Sequence, residues 1–462
     1  MSEKQVSSPT RREFLKNSGQ VAAASALVSV GTSYAYAGED NTIQVALIGC
    51  GGRGTGAVAN ALKVKQGPIK LVAMADVFDH RLQLSLNSLK NKKEFVDQID
   101  VPKDRQFIGF DAYQNAMDCL KPGDVAIFTT PLAFRWVHFD YAIQKGLNVF
   151  MEKPLTADGP TSRRMLDLAK LAQEKNLKVG VGLMSRHQRS LQQLAQRVHD
   201  GEIGDIVLMR AYRMTGPVGS CFSEKWPGNP SELLWQLKRF HSFIWASGGS
   251  FSDFMIHVID HCCWMKDAWP VKAQALGGRH YRGEGVDQNF DTYSVEYTFA
   301  DGAKLIADGR CVAGCKPIYK SFAHGTKGSA VVSKSGDCGS PSSIYSGQSV
   351  DSSKKLWESV TPPGESNPYD NEWNVLVDAI RNDRPHNEVE RGVMASLATS
   401  LGRLAAHSGK EVMFDELLNS KVEYAPGVDK LTMDSPPPLK SDEDGKYPIP
   451  MPGLIGTREY LA

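Results

Sequence analysis

An aspartate and a histidine four residues apart, Asp253 and His257, are well placed for proton-transfer chemistry. At that spacing both side chains project from one face of a helix. Together a carboxylate and an imidazole can accept, donate or orient a proton, and a nearby cation such as Lys153 can stabilise a developing oxyanion. Taken singly, each has an ordinary explanation: a histidine packed in a core, or a lysine in a solvated loop.

The same stretch also offers a pattern typical of metal sites. Asp253, His257 and His261 are spaced by four residues, and Cys262–Cys263 follow. Two histidines at this spacing can share a zinc ion. However, Val258 stands where the H-E-x-x-H motif needs its glutamate, and adjacent cysteines in an apolar stretch are more often buried thiols. We therefore expect no metal.

A glycine-rich turn directly follows the first apolar strand pattern. Gly49, Gly51 and Gly54 stand in G-x-G-x-x-G register, with Gly52 and Arg53 between them, and a helical pattern comes next. The first glycine permits a tight turn, the second lets the backbone approach a pyrophosphate, and the third lets the helix pack on the strand. This turn and the helix N-terminus are a candidate phosphate site.

A second apolar strand pattern ends in Asp76, 22 residues beyond Gly54. A carboxylate there can accept hydrogen bonds from the adenosine ribose hydroxyls and would repel a 2′-phosphate. We therefore expect NAD as the cofactor, and Arg53 and Arg81 leave NADP open. An exposed loop aspartate is the alternative interpretation.

Two further strand patterns end in residues able to contact a dinucleotide. The first runs into Thr130 and Pro131, and the second runs into Glu152 and Lys153. Strands that alternate with helices predict a parallel sheet, and ligands bind beyond the carboxyl ends of such strands. These residues and the glycine-rich turn are therefore expected at one edge of a sheet.

The second half of the chain has a different pattern. Residues 293–299 alternate between polar and apolar, and after a turn the chain returns through 304–307, which predicts a β-hairpin. Residues 333–368 are rich in Ser, Gly and Pro and predict a long loop. Helices are expected at 370–381 and 390–408.

The N-terminus is typical of a twin-arginine signal peptide. Arg11 and Arg12 precede a weakly apolar stretch at 21–30, and a small-x-small cleavage site ends at Ala37. The stretch is too short to span about 30 Å of hydrocarbon, although an uncleaved anchor is the alternative. We expect export to the periplasm or another extracytoplasmic space, with no membrane span after cleavage.

Composition excludes several classes of protein. The 462 residues are 41% apolar and 23% charged, as in soluble globular proteins. With 53 basic and 52 acidic residues the net charge is +1, so no nucleic-acid partner is indicated. Eight cysteines are too few for a disulfide scaffold. Cys311 and Cys315 are near enough to pair after export, but folding in a reducing cytoplasm favours free thiols.

Jointly, these motifs resemble the glucose–fructose oxidoreductase and inositol dehydrogenase (Gfo/Idh/MocA) family. The resemblance covers about residues 43 to 420, and Met255 departs from it because the family usually has glycine there. The motifs that carry it are the glycine-rich turn, the strand end at Asp76, Thr130-Pro131, Glu152-Lys153-Pro154, Gly201-Glu202-Ile203-Gly204, the Gly248–Asp260 stretch, which is similar to GGG-x-x-x-D-x-G-x-H-x-x-D, and Gly325–Ser329.

The resemblance implies roles for Lys153, Asp253 and His257 in the reaction. His257 would accept the proton, Asp253 would bind and orient the substrate, and Lys153 would polarise the substrate oxygen. Glu152 would bind the nicotinamide ribose. Pro154 would hold the peptide that aims the lysine, and a cis bond is one way to do so.

The resemblance places three more residues either near the substrate or among the residues that support its binding site. Arg186 and His187 lie where the family has its substrate loop, and a surface pair is the alternative. Asp260 either orients the site or belongs to a structural network.

The implied fold is α/β: an N-terminal Rossmann dinucleotide-binding domain and a C-terminal α/β domain with a large, mostly antiparallel sheet. We expect a signal peptide at 1–37, the NAD-binding domain at 38–165 and a substrate and oligomerisation domain at 166–420. The proline-rich arm at 421–462 is better suited to wrapping a neighbour than to folding alone. A homo-oligomer is expected.

The leading hypothesis is an exported NAD(P)-dependent oxidoreductase that transfers hydride between a tightly bound nicotinamide cofactor and a sugar, cyclitol or related polyol. Two alternatives remain. One is an NAD-dependent, redox-neutral glycoside hydrolase on the same fold, although its relatives usually lack the lysine at position 153. The other is a non-catalytic sugar-binding protein. The sugar and the carbon oxidised are not identified.

Overall fold

The helices and strands described below lie between residues 43 and 453 of the chain. The predicted signal peptide, residues 1–37, lies outside the described residues. The computed structural model describes residues 41–280, 282–336 and 340–453.

Six strands of the described chain form a parallel sheet in the order β3-β2-β1-β4-β5-β6. Strands β1, β4 and β5 are almost wholly buried on both faces, which explains their continuous apolar runs. The strand order reverses beside β1, and this places a crevice at the carboxyl ends of β1 and β4. The six strands are Ile43–Ile48, Ile69–Asp76, Gln106–Ile108, Val125–Phe128, Asn148–Met151 and Val179–Val181.

Helices connect these strands, and the last crossover helix corrects a predicted boundary. Helix α5 continues to Glu174 and returns the chain to β6, so the sheet extends beyond residue 165, where the sequence predicts the domain to end. A boundary at 165 would cut through this helix. The other domain boundaries stay predictions. Helices α1 to α5 are Gly52–Leu62, Asp79–Lys90, Ala112–Asp118, Arg135–Gln144 and Gly159–Glu174.

A second sheet, nine-stranded within the described ranges, has the order β14-β13-β12-β11-β7-β10-β9-β8-β15. Only β7 and β10 pair in parallel; the other neighbours are antiparallel. The predicted α/β fold class is confirmed, and the predicted hairpin is β9–β10. Strands β7 to β15 are Ile206–Thr215, Lys272–Gly278, Thr292–Thr298, Lys304–Cys311, Ile318–Gly325, Ser329–Ser333, Ser343–Tyr345, Lys355–Glu358 and Val412–Met413.

The long loop predicted at 333–368 is only partly correct. Two short strands, β13 and β14, lie inside it and extend the edge of the second sheet. Ser343 and Ile344 are buried beside β12 although their surroundings are rich in serine and glycine. Pairing with an existing edge therefore decides the conformation here, rather than local composition.

Helix α9 (Gly249–Lys266) carries Asp253 and His257 and packs against β7 and α11 (Val389–Ser408). The fully buried Arg403 of α11 holds its first turn, because the guanidinium donates to the carbonyl oxygen of Gly248 at 2.8 Å and to Oγ of Ser252 at 3.0 Å. No helix in the described part of the chain is long and apolar enough to cross a membrane. Helices α6 to α12 are Arg189–His199, Glu232–Lys238, Ile244–Ser247, Gly249–Lys266, Pro368–Arg381, Val389–Ser408 and Phe414–Asn419.

The C-terminal arm packs on its own chain as far as residue 453, and its contact with a neighbouring subunit stays a prediction. Leu439 and Tyr447 are buried, and the ring of Tyr447 stacks on Trp235 of α7. Gln236 donates to the carbonyl oxygen of Leu439 at 2.7 Å. The apolar surface of α7 and α8 therefore takes up the arm.

The cysteines of the described ranges carry free thiols, Cys311 and Cys315 included. Nδ1 of His261, the third member of the predicted metal pattern, lies 3.1 Å from Oγ of Ser321. Among the described residues, no group of three His, Cys, Asp or Glu side chains is arranged to hold a metal ion.

Candidate active site

The turn after β1 requires glycine at two positions. Gly49 has a φ of +96°, and a Cβ there would lie 2.7 Å from the backbone nitrogen of Thr130. A Cβ on Gly54 would lie 2.2 Å from the carbonyl oxygen of Gly49, because α1 packs directly on the turn. By contrast, the nearest atom to a Cβ on Gly51 would be Nη1 of Arg81, at 3.7 Å. The turn is closed towards the protein and open towards the crevice.

Asp76 ends β2 beside this turn. Its carboxylate accepts the backbone N–H of Cys50 at 2.6 Å and that of Phe78 at 2.9 Å. Burial raises the pKa of Asp76, and these two donors together with Arg81 act in the opposite direction. The carboxyl group is thus held in one orientation at the edge of the crevice.

Two residues that sequence reasoning missed support Thr130. Arg135 is buried and donates to the carbonyl oxygens of Phe128 at 2.7 Å and Thr130 at 2.9 Å. Burial lowers the pKa of Arg135 to about 10, so it remains charged at neutral pH. Oγ1 of Thr130 lies 3.3 Å from Nδ1 of His138, and burial followed by the charge of Arg135 lowers the pKa of His138 to about 3. Buried side chains therefore fix the position of the loop that follows β4.

Lys153 follows β5, and its peptide bond to Pro154 is cis. Its Nζ donates to the backbone carbonyl oxygen of Asp253 at 2.8 Å and lies 3.4 Å from Oδ1 of the same residue. An ammonium group has three donors. Two are directed at Asp253, which leaves one for a ligand oxygen in the crevice.

Asp253 lies between two basic side chains. Lys153 approaches Oδ1, and Nε2 of His241 lies 3.4 Å from Oδ2. Burial acts to raise the pKa of Asp253, but Lys153 and then His241 hold it well below its usual range. The carboxylate is therefore ionised in the folded protein at neutral pH.

His257 lies one helical turn beyond Asp253 and is 7% exposed. Burial, and then the charge of Lys153, lower the pKa of His257 well below its usual value. Its Nδ1 has no hydrogen-bond partner among the described residues. A neutral imidazole can accept a proton, so His257 has the protonation state that a general base needs at pH 7.

Glu152 forms an ion pair with Arg53, and both residues line the same cavity as Lys153. Its Oε1 lies 2.8 Å from Nε of Arg53, whose guanidinium lies over the ring of Tyr369, 4.6 Å from the centroid. Glu152 is 5% exposed, and a Cβ on Gly182 would lie 2.6 Å from its Oε2. The carboxylate is thus confined between β6 and the glycine-rich turn, and its contact with a ribose stays a prediction.

One cavity of about 580 Å³ brings together all the predicted cofactor and catalytic residues. Glycine-turn backbone, two strand-end carboxylates and the Lys–Asp–His group surround the same space. The predicted residues that line it are Gly49, Gly51, Gly52, Arg53, Gly54, Asp76, Thr130, Pro131, Glu152, Lys153, Asp253 and His257.

Arg186 and His187, predicted to bind substrate, are not among the lining residues. Arg186 makes a two-pronged ion pair with Asp260, with contacts of 2.9 and 2.7 Å. His187 lies 3.0 Å from Oε1 of the buried Glu388. Because buried carboxylates need partners, Arg186 balances the charge of Asp260, while Arg391 and His187 contact Glu388. Asp260 accordingly belongs to a structural network.

Ser220 and His241 also line the cavity, and sequence reasoning missed both. They lie in the segment 216–247 between β7 and α9, which contains no motif that we recognised. Its only signal was the clustering of aromatic residues around His241, at Phe240 and Phe243.

The residues present fit a bound dinucleotide. The turn exposes its backbone at Gly51, α1 begins at Gly52, and Asp76 ends the neighbouring strand and lines the same cavity, where a carboxylate can accept from the adenosine ribose hydroxyls. When bound, NAD would supply the hydride acceptor. The cofactor would be held by the glycine-rich turn, Asp76 and Glu152. Lys153, Asp253 and His257 lie in the same cavity.

Replacing Gly54 by alanine tests the turn. Because the new Cβ would lie 2.2 Å from a backbone oxygen, we expect NAD affinity to fall and the free energy of unfolding to drop by about 1–3 kcal/mol. Gly216→Ala is the control, since nothing lies within 4 Å of its Cβ and the residue is not among those that line the cavity. The NAD content of the purified proteins and their thermal unfolding would measure both effects; equal behaviour of the two variants would contradict the assigned packing.

Two family models match successive parts of the chain. One, described as oxidoreductase family, NAD-binding Rossmann fold, matches residues 43–183. The other, described as GFO/IDH/MocA C-terminal domain, matches residues 191–331. An inositol 2-dehydrogenase of Corynebacterium glutamicum is 27% identical over 101 residues, which is 22% of this chain and 29% of that protein. The chain thus spans less than a third of that relative.

Solved structures share this fold over about 80% of the chain. An aldose-aldose oxidoreductase from Caulobacter crescentus, complexed with glycerol, has a TM-score of 0.60 and 15% identity over 80% of this chain and 99% of that one. Scyllo-inositol dehydrogenase from Lactobacillus casei, with bound NAD(H) and scyllo-inositol, has a TM-score of 0.58 and 21% identity over 81% and 99%. With both domain models matched in order, this chain belongs to the Gfo/Idh/MocA family of NAD-binding oxidoreductases.

Proposed function

We propose that this protein transfers hydride between NAD and a carbon bearing a hydroxyl group in a sugar, cyclitol or related polyol. The observation that carries the proposal is the position of Lys153, Asp253 and His257 in one cavity with the glycine-rich turn. Oxidation of a secondary alcohol needs a base for the hydroxyl proton, a cation for the developing alkoxide and a C–H bond held against the nicotinamide. The cavity contains a group for each of the first two tasks.

His257 is the base in this proposal. Its neutral imidazole would take the hydroxyl proton as the alcohol is oxidised to a carbonyl, and NAD⁺, when bound, would supply the acceptor for the hydride that leaves the same carbon. Lys153 directs its remaining donor at the oxygen that gains negative charge. Asp253, ionised and held on both oxygens, accepts a hydrogen bond from a neighbouring hydroxyl of the polyol.

The named relatives support a polyhydroxylated substrate. One matched protein is an inositol 2-dehydrogenase, one matched structure contains scyllo-inositol, and another is an aldose-aldose oxidoreductase. A carboxylate and an ammonium group side by side suit ligands with adjacent hydroxyls, which can donate to the first and accept from the second.

The enzyme would be tested with myo-inositol, scyllo-inositol, D-glucose and D-xylose in the presence of NAD⁺. NADH formation at 340 nm with at least one of them supports the proposal, and its absence with all four, in protein shown to bind NAD, would contradict it. Aryl glycosides are assayed in parallel without added NAD. Release of the aryl alcohol would favour the redox-neutral hydrolase.

We also propose that the cofactor is NAD, tightly held, and that the protein is exported with it through the twin-arginine pathway. Asp76 disfavours a 2′-phosphate, and outside the cytoplasm there is no nicotinamide pool for exchange. Denatured, purified protein is expected to release close to one equivalent of NAD. Empty protein that binds NAD only weakly would contradict tight binding, and full-length protein retained in the cytoplasm would contradict export.

We propose that the protein is a homo-oligomer, because several apolar residues of the second sheet are exposed. Val207, Leu276 and Leu356 are 51%, 79% and 68% exposed on three of its strands. Burying such a face against a second copy would remove them from water. Light scattering during gel filtration measures the mass, and a monomer at micromolar concentration would contradict the proposal.

A further inference from the structure

His241 links two residues of the cavity wall. It lies in the segment 216–247, between β7 and α9, and its side chain is 16% exposed. Its Nε2 lies 3.4 Å from Oδ2 of Asp253, and its Nδ1 lies 3.0 Å from Oγ of Ser220. All three side chains line the cavity that holds Lys153 and His257.

The contacts of Nδ1 determine which ring nitrogen carries the proton. The backbone N–H of Ser220 points at Nδ1 over 3.3 Å, and a backbone N–H can only donate. Nδ1 of the neutral ring is therefore the acceptor, and the proton resides on Nε2. That N–H faces Asp253, whose carboxylate can only accept when ionised.

The imidazole ring is fixed in place by its surroundings. It lies against Phe240, with the centroids 3.8 Å apart, and stacks on Phe254 at 5.5 Å. A Cβ on Gly219 would lie 2.8 Å from the ring, so glycine is needed there. Asn289 donates to the backbone carbonyl oxygen of His241 at 2.8 Å. A histidine supported in this way can hold a neighbour in one orientation.

We infer that His241 is a positioning residue of the active site, which holds the second carboxylate oxygen of Asp253 on the side opposite Lys153. Without this contact the carboxylate is free to turn towards Lys153 and to occupy the donor that the substrate oxygen needs. His241 thereby keeps both Asp253 and Lys153 available. The inference rests on the proposed function for its kinetic consequence, but its geometry does not.

Two substitutions of His241 distinguish the role of its N–H donor from the role of its aromatic ring. His241→Phe keeps the aromatic packing and removes both nitrogens, whereas His241→Gln keeps an N–H donor that can reach Asp253. With the best polyol of the four and a second carbonyl compound that reoxidises the bound cofactor, we expect His241→Phe to lower kcat about 10- to 100-fold, as for a small misplacement of a catalytic group, and His241→Gln to recover most of the loss. NAD affinity is expected to be unchanged in both. Equal kcat in the two variants would overturn the inference.

The pH profile adds a readout that a packing role would not move. The groups facing Asp253 are Lys153, Arg135, His257 and His241. Loss of His241 removes one influence that lowers the pKa of Asp253, so the limb of kcat/KM that reports protonation of Asp253, as distinct from the limb that reports His257, is expected to move to higher pH in His241→Phe. Ser220→Ala retains the backbone N–H and is expected to shift the limb less. An unmoved limb in His241→Phe would count against the inference.

A measurement without substrate distinguishes failure of the inference from failure of the proposed function. In ¹⁵N-histidine-labelled protein, the resonances lost in His241→Phe identify His241. In the neutral form of the ring we expect a protonated Nε2 and an unprotonated Nδ1. The opposite tautomer would overturn the inference even in a protein that oxidises the polyols. The expected tautomer in a protein that oxidises none of the four would leave this geometry standing and would reject the proposed function.

Discussion

Replacing Lys153 by methionine is expected to lower kcat for polyol oxidation by about 10²- to 10³-fold, the usual effect of removing one preorganised donor from a developing oxyanion. Methionine has a similar length, so the packing around Asp253 should survive. Steady-state kinetics with the best polyol of the four measures the effect. Lys145→Met, which removes a lysine paired with Asp118 outside the cavity, is the control and should leave kcat unchanged.

The same variant has a predictable pH dependence. The positive charge of Lys153 disfavours protonation of His257 and contributes, after burial, to its lowered pKa. Removing that charge raises the pKa of His257, so activity should begin to fall at a higher pH on acidification. A Lys153→Met enzyme with unchanged kcat, or with its acid limb moved to lower pH, would contradict the assigned role.

Replacing His257 by glutamine should lower kcat by about 10²- to 10⁴-fold, the range for loss of a general base. Glutamine retains polarity but cannot accept the proton at neutral pH. NAD affinity should be unchanged, because the glycine-rich turn and Asp76 are untouched, and calorimetry would check this.

The control for this variant is His199→Gln, a change at a histidine that contacts the carbonyl oxygen of Trp264 outside the cavity. Its kcat should equal that of the wild type. A His257→Gln enzyme that keeps more than a tenth of the wild-type kcat would require a different base.

The parts of the site that sequence could predict are those in which local backbone geometry demands a residue type. Gly49 and Gly54 have no space for a side chain, and Asp253 and His257 share a face because helical spacing places them there. Such constraints act within a few residues. For this reason the turn, the strand ends and the helix face were all predictable in advance.

The parts that sequence could not predict depend on distant partners. Arg186 pairs with Asp260, and His187 pairs with Glu388, about 200 residues further along the chain. Local sequence around Arg186 shows nothing of these partners. His241 was missed for the same reason: its role arises from contacts with Ser220 and Asp253, which only the folded chain brings together.

The C-terminal arm and the edge strands β13 and β14 also depend on distant partners, so the sequence could not predict them. Prolines near residue 437 indicate an extended segment but not the surface that it covers, which is formed by α7 and α8. Likewise β13 and β14 are strands only because β12 offers an edge.

Transfer of deuterium from substrate to cofactor tests the central claim most directly. NAD-loaded protein would be mixed with a polyol deuterated on its ring carbons, and the nicotinamide would be analysed by mass spectrometry after denaturation. Direct hydride transfer predicts one deuterium on the nicotinamide ring, with its appearance suppressed in Lys153→Met and His257→Gln. Unlabelled NADH, or no reduction of bound NAD⁺ by any of the four polyols, would contradict the account.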